Sequence, residues 1–151
     1  MNKPEPRRAA SQIGRSYRGV AWHGPSILET LEGVDEEKAS ARPHPELHTI
    51  WELVQHLTAW HKVATRAILG GSYVSLTGED DWPPVQAGGW PAALSELAKA
   101  SADLVEAVRQ FPEDRLGDLV PGKEFDYYFL LHGIAQHNTY HAGQIAILKR
   151  L

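Results

Sequence analysis

The chain has eight histidines and no cysteine in 151 residues, so imidazole is its most versatile reactive group. Two of these histidines, His137 and His141, stand four apart inside LLHGIAQHNTYHAGQIAIL, Leu130 to Leu148. On a helix, residues at i and i+4 lie about 5 to 6 Å apart at Cβ, and suitable rotamers let two ring nitrogens converge on one cation. The apolar residues Tyr127, Leu130, Ile134, Ile145 and Leu148 recur at helical spacing. His137 and His141 fill the gap in that stripe, within about 60° of Ile134 on the helix wheel, and are therefore expected to point inward. A buried imidazole nitrogen without a partner costs roughly 1 to 3 kcal/mol, a penalty that a bound metal ion removes. Without cysteine, a transition-metal site here must use histidine, with or without carboxylates.

The candidate third ligand is His56. Its helical neighbours are Leu53, Trp60 and Val63, which places it at the apolar border and not among Gln55, Lys62 and Arg66. The same position also suits a half-exposed histidine bonded to water or a carbonyl. His23, beside Pro25, is a candidate general acid/base or substrate contact, although an exposed position is the simpler reading. Gln144 and Asn138 flank the seam and are candidates for bonding ligand imidazoles or bound solvent. Trp60, one turn beyond His56, reads as pocket wall. His61 and His132 read as weaker candidates, and His44 and His48 as loop or pre-helix residues. Asp80 and Asp81 read as solvated loop charges that could also reach a substrate.

The elements that must position these residues follow from periodicity and punctuation. Residues 1 to 9 read as a mobile tail, with a single domain over 10 to 151. Ile13, Tyr17, Val20, Gly24, Ile27 and Leu31 step by three and four, predicting one helix bent near Pro25 and stopped at Gly33. A surface connection of about 15 residues follows. Thr49 and Glu52 form a capping box that opens a second helix, ended by Gly70-Gly71. Residues 70 to 89 form a connection whose length is uncommon unless it has a function. Pro91 opens a third helix closed by Pro112, and Asp126 caps the fourth. Four amphipathic helices without strand alternation predict an all-α, up-and-down four-helix bundle with long inter-helix loops.

Composition narrows the function classes. The formal charge of −4 offers no basic footprint for nucleic acid. No run approaches the length of a membrane span, and the N-terminus lacks a signal-peptide core, so a cytoplasmic location is expected. The outer helix faces still carry Tyr128, Phe129, Ile147 and Leu151.

The combination AWHGPSILETLEGV, HTIWELVQHLTAW and HGIAQHNTYHAGQIAILKR, in that order over nearly the whole chain, resembles the DinB/YfiT-like superfamily of small bacterial metal-binding bundles. The resemblance implies a four-helix bundle, usually dimeric, with metal held by one histidine of the second helix and two of an HxxxH on the last. Carried onto this sequence, these are His56, His137 and His141. It also implies a homodimer and a choice of activities: thiol-dependent S-transfer, mycothiol-dependent isomerisation or metal-dependent hydrolysis. A non-enzymatic metal-binding stress-response protein is the reading from another class. Three neutral histidines without thiolate suit Zn or Ni best, with Mn, Fe or Co as further fits, and leave a coordination position open for a low-molecular-weight thiol or water.

Overall fold

The computed structural model describes residues 3–85 and 88–151. These form six α-helices and one 3-10 turn: α1 (Glu5–Tyr17), α2 (Ile27–Leu31), α3 (Glu36–Ser40), α4 (Ile50–Ile68), α5 (Gly89–Gln110), the 3-10 turn Glu113–Arg115, and α6 (Tyr127–Leu148). The protein is all-α, with no strand among the described residues beyond two isolated bridges. None of its described helices is long and apolar enough to cross a membrane.

Most helix ends are set locally. Thr49 and Glu52 exchange reciprocal hydrogen bonds at the start of α4, and Asp126 accepts from the Phe129 amide at 2.8 Å to start α6. Gly70, with φ of 90°, takes the left-handed conformation just beyond α4.

The N-terminal third differs from expectation. Residues 5–9, expected as tail, belong to α1, where Pro6 is tolerated in the first turn and Ala9 and Ala10 are buried; residues 1–2 lie outside the described residues. The single bent helix is instead two helices separated by residues 18–26, in which Val20 and Trp22 are exposed. Gly19 and Gly24 hold positive φ values of 109° and 119°, which ends α1 outright. Ser26 and Glu29 then form a second capping box, so that α2 starts afresh after Pro25. The expected surface connection also contains α3, capped by Asp35.

The four long helices pack α4 on α5, α5 on α1, α1 on α6 and α6 on α4. Their core divides into two apolar clusters. One gathers Ala9, Ala10 and Ile13 with Ala64 to Ile68, Leu104 to Phe111 and Tyr127 to Ile134. The other gathers Tyr17 and Ile27 with Ile50 to Leu57, Trp90, Leu97 and Ala142 to Leu148.

That division corrects the expected up-and-down alternation. The N-terminal halves of α4 and α5 share one cluster and their C-terminal halves the other, so these consecutive helices run parallel. Trp51 packs on Trp90, and His61 bonds Ser101 further along both helices, as parallel packing requires. A link between parallel helices must return along the whole of α4, about 28 Å for 19 residues, which a tight turn cannot span. The long stretch after residue 70 therefore runs back along the helices and passes the level of His56 in mid-course; residues 86–87 of it lie outside the described residues.

Candidate metal centre

His56 projects from the middle of α4, and His137 and His141 from consecutive turns of α6, which packs on α4. The His137 Nε2 lies 3.0 Å from the Nε2 of His56 and 3.0 Å from the Nε2 of His141. One ligand atom from each ring lies within 4.8 Å of the others. His56 and His141 are buried and His137 is half-buried.

Two of the three tautomers are set by outer contacts. The Nδ1–H of His56 donates to the Asp81 backbone carbonyl at 2.8 Å, and the Asp81 Oδ1 lies 3.1 Å from the same nitrogen. The Nδ1–H of His141 donates to the Gln144 Oε1 at 2.5 Å. Both rings therefore present an Nε2 lone pair toward His137, whose own Nε2 carries at most one proton. At least one lone pair is left facing another nitrogen with no proton between them. A cation resolves that conflict. The spacing also suits one, since ligand nitrogens on a tetrahedral Zn lie roughly 3.3 Å apart at the usual bond lengths of about 2.0 to 2.1 Å.

The electrostatics keep the rings available for ligation. Burial pushes His137 down to about 3, helped by His141, His56 and His61, and pushes His141 down to about 4 against the opposing Gln144 contact. Burial also lowers His56, although Asp81 pulls the other way. All three are neutral near pH 7, the state that binds metal.

The loop between α4 and α5 supplies contacts to the triad, among them those of Asp81, which the sequence reads mainly as a solvated charge. The Asp81 Oδ1 accepts the indole Nε1–H of Trp60 at 2.7 Å, so one carboxylate steadies both His56 and the cavity wall. Trp82 stacks on His56 with ring centroids 4.1 Å apart and planes within 12°. His48 stacks on Trp82 with planes within 2° and lies 3.3 Å from Glu52 through its Nδ1. The sequence signals were the unusual length of this loop and, for Trp82, an aromatic side chain able to anchor it by packing.

Two of the remaining candidates adjoin the triad and two do not. Trp60 lines a cavity of about 310 Å³ beside the triad. Gln144 holds His141 as described. Asn138 is fully buried and bonds His61 and Ser16, not a triad ring. His23 is exposed in the segment between α1 and α2 and does not line the cavity.

His61 is the residue most underestimated from sequence. It is buried, its Nε2–H donates to the Asn138 Oδ1 at 2.7 Å, and its Nδ1 accepts the Ser101 hydroxyl at 3.0 Å. Asn138 donates on to the Ser16 Oγ at 3.0 Å, and Ser16 donates to the Ile13 carbonyl at 2.8 Å. This chain crosses all four long helices between the two apolar clusters.

An all-α protein with three convergent, neutral imidazoles on two packed helices fits a metal-binding protein of histidine-only donors. The sequence profile of the DinB superfamily matches residues 21–145, and the chain belongs to that superfamily. No curated protein and no solved structure matches the chain at a significant level.

Proposed function

We propose that this protein is a metal-dependent enzyme, built on a four-helix bundle, that activates a low-molecular-weight thiol at His56, His137 and His141 for transfer to a small electrophile. The observation that carries this reading is the convergence of three Nε2 atoms at the wall of a cavity. A divalent ion held there, Zn or Ni by donor type, would lower the pKa of a thiol or water within its reach toward neutrality. The chain's own part is to hold the three rings neutral, to fix two of them through Asp81 and Gln144, and to cover His56 with Trp82. Trp60 and the cavity beside it would receive the electrophile. His23, exposed and away from the cavity, has no contact there that supports a catalytic part.

Cobalt substitution tests the proposal, because sulfur ligation adds an intense near-ultraviolet charge-transfer absorption that oxygen ligation does not. Low-molecular-weight thiols are expected to produce it in the wild type and not in His56→Ala or His141→Ala. Cobalt that stays bound while a panel of thiols leaves the spectrum unchanged would overturn thiol activation and leave metal-assisted hydrolysis as the enzymatic reading. The same protein is proposed to be a homodimer, supported by Tyr128, Phe129, Tyr140, Ile147 and Leu151 standing exposed on and just beyond α6. Light scattering is expected to give twice the chain mass at micromolar concentration.

A further inference from the structure

The cavity beside the triad has a composition of its own. Trp60, Tyr73, Phe125 and Phe129 form a connected aromatic wall: Trp60 and Tyr73 lie 6.3 Å apart, Tyr73 meets Phe125 edge-on at 5.6 Å, and Phe125 lies 5.4 Å from Phe129. Ala64, Leu130, Gly133 and Ile134 complete the lining, and His56 and His137 open onto it. At about 310 Å³ it stands at the small end of ligand pockets, the size for a group of one or two rings.

Several polar groups of the lining are already engaged. Among the described lining residues Asp81 is the only Asp, Glu, Lys or Arg, and its Oδ1 takes the Trp60 indole proton and faces His56. His61 uses both ring nitrogens inside the protein, on Asn138 and Ser101. Burial holds the Tyr73 phenol protonated. Lys123 sits over the Tyr73 ring and donates to Ser75, and does not line the cavity. A carboxylate or phosphate entering here would lose its water with no side-chain cation to replace it, and would approach Asp81. A cation would find aromatic faces, which favour it, but also a carboxylate whose Oδ1 already takes the Trp60 indole proton and faces the His56 Nδ1–H. Flat, uncharged surface is what these walls can match without an unpaired charge.

We infer that the cavity bounded by Trp60, Tyr73, Phe125 and Phe129 binds an uncharged aromatic group, and that the electrophile of the proposed reaction carries one. The inference deepens the thiol-transfer reading, but the binding it requires can be measured without any turnover.

Calorimetry with three probes of one shape tests it at pH 7.5: 2-naphthol, 2-naphthoate and 2-naphthylmethylammonium, with the zinc-loaded protein and again after chelation. The ranking is read after chelation, so that a carboxylate gripping the ion does not enter it. Naphthol is expected to bind at least tenfold tighter than either charged probe, and to keep its affinity within threefold when zinc is present. Phe129 is exposed in the protomer, so Phe129→Arg should fold normally, with its mass compared to wild type by light scattering because the residue also stands on the face proposed for the dimer; it is expected to weaken naphthol and tighten naphthoate at least fivefold, a gain that misfolding cannot imitate. Equal or tighter binding of the anion by the wild type overturns the inference in favour of an acidic substrate. Preference for the ammonium probe overturns it in favour of a cation cage, and no binding of naphthol, or no effect of Phe129→Arg, overturns it as well. Thiol activation fails separately, by the cobalt spectrum, so a protein that binds naphthol without a sulfur band keeps this inference and loses that one.

Discussion

His56 and His61 lie five residues apart on α4, both buried, and their ring nitrogens are treated in opposite ways. His61 has a partner on each nitrogen, and one of them, Asn138, is itself tied through Ser16 to the α1 backbone. His56 is fixed on one side by Asp81, and its other nitrogen is aimed at two more imidazoles. A closed polar network ties helices together and has nothing left to offer a ligand. A network closed on its outer side alone directs its remaining lone pairs inward, which is what a metal centre needs. Burial by itself does not separate these roles, since it depresses the basicity of both groups.

The largest expected effect lies on the open side. His137→Ala is expected to weaken Zn or Co binding roughly a thousandfold or more, about 4 kcal/mol, measured by competition with a chromogenic chelator. His61→Leu should stay within threefold of wild type in the same assay. A loss below tenfold for His137→Ala would erase the distinction between the two sites.

Stability should show the reverse pattern. His61→Leu strands the Asn138 carbonyl oxygen and the Ser101 hydroxyl in the core, and is expected to cost about 3 kcal/mol of metal-free stability by urea unfolding. His137→Leu, by contrast, removes a lone pair that faces other nitrogens and should change metal-free stability by less than about 1 kcal/mol.

Acid sharpens the comparison. Burial holds His61 at about 4 in the folded protein, against an ordinary value near 6.5. A lowered folded value means that the unfolded chain takes up the proton first, so stability is full above about 6.5 and falls as pH drops toward 4. The loss attributable to His61 is about 3 kcal/mol at most. In urea titrations of metal-free protein it should be absent from His61→Leu, whose stability begins lower and declines less steeply. Metal affinity of the wild type should hold below the ordinary imidazole range and fall only as pH drops toward 4, where His141 begins to take up a proton, because protonated imidazole does not ligate.

The smallest effect belongs to Asp81. Asp81→Asn removes the carboxylate beside His56 but leaves the backbone carbonyl that accepts the Nδ1–H, so metal affinity is expected to drop only about tenfold. An unchanged affinity would mean that the backbone contact alone sets the His56 ring.

Local chemistry was legible in the residues themselves. The Thr49/Glu52 box, the Asp126 cap and the stop at Gly70 depend on atoms within one turn, and the four-residue step from His137 to His141 puts both on one face of any helix that contains them. The break at residues 18–26 was equally local, written in Gly19, Gly24 and the Ser26/Glu29 box, but a three-and-four spacing running through Val20 and Gly24 disguised it. Tertiary structure alone decided the rest. Residues five apart on a helix point about 140° from one another, so His56 and His61 are both buried only because α4 is covered by α5 on one side and by α6 and the loop on others. The parallel course of α4 and α5 likewise rests on packing between distant segments. That course takes the connecting loop back across the helices, and so brings Asp81 and Trp82, distant from every histidine of the triad in sequence, onto His56.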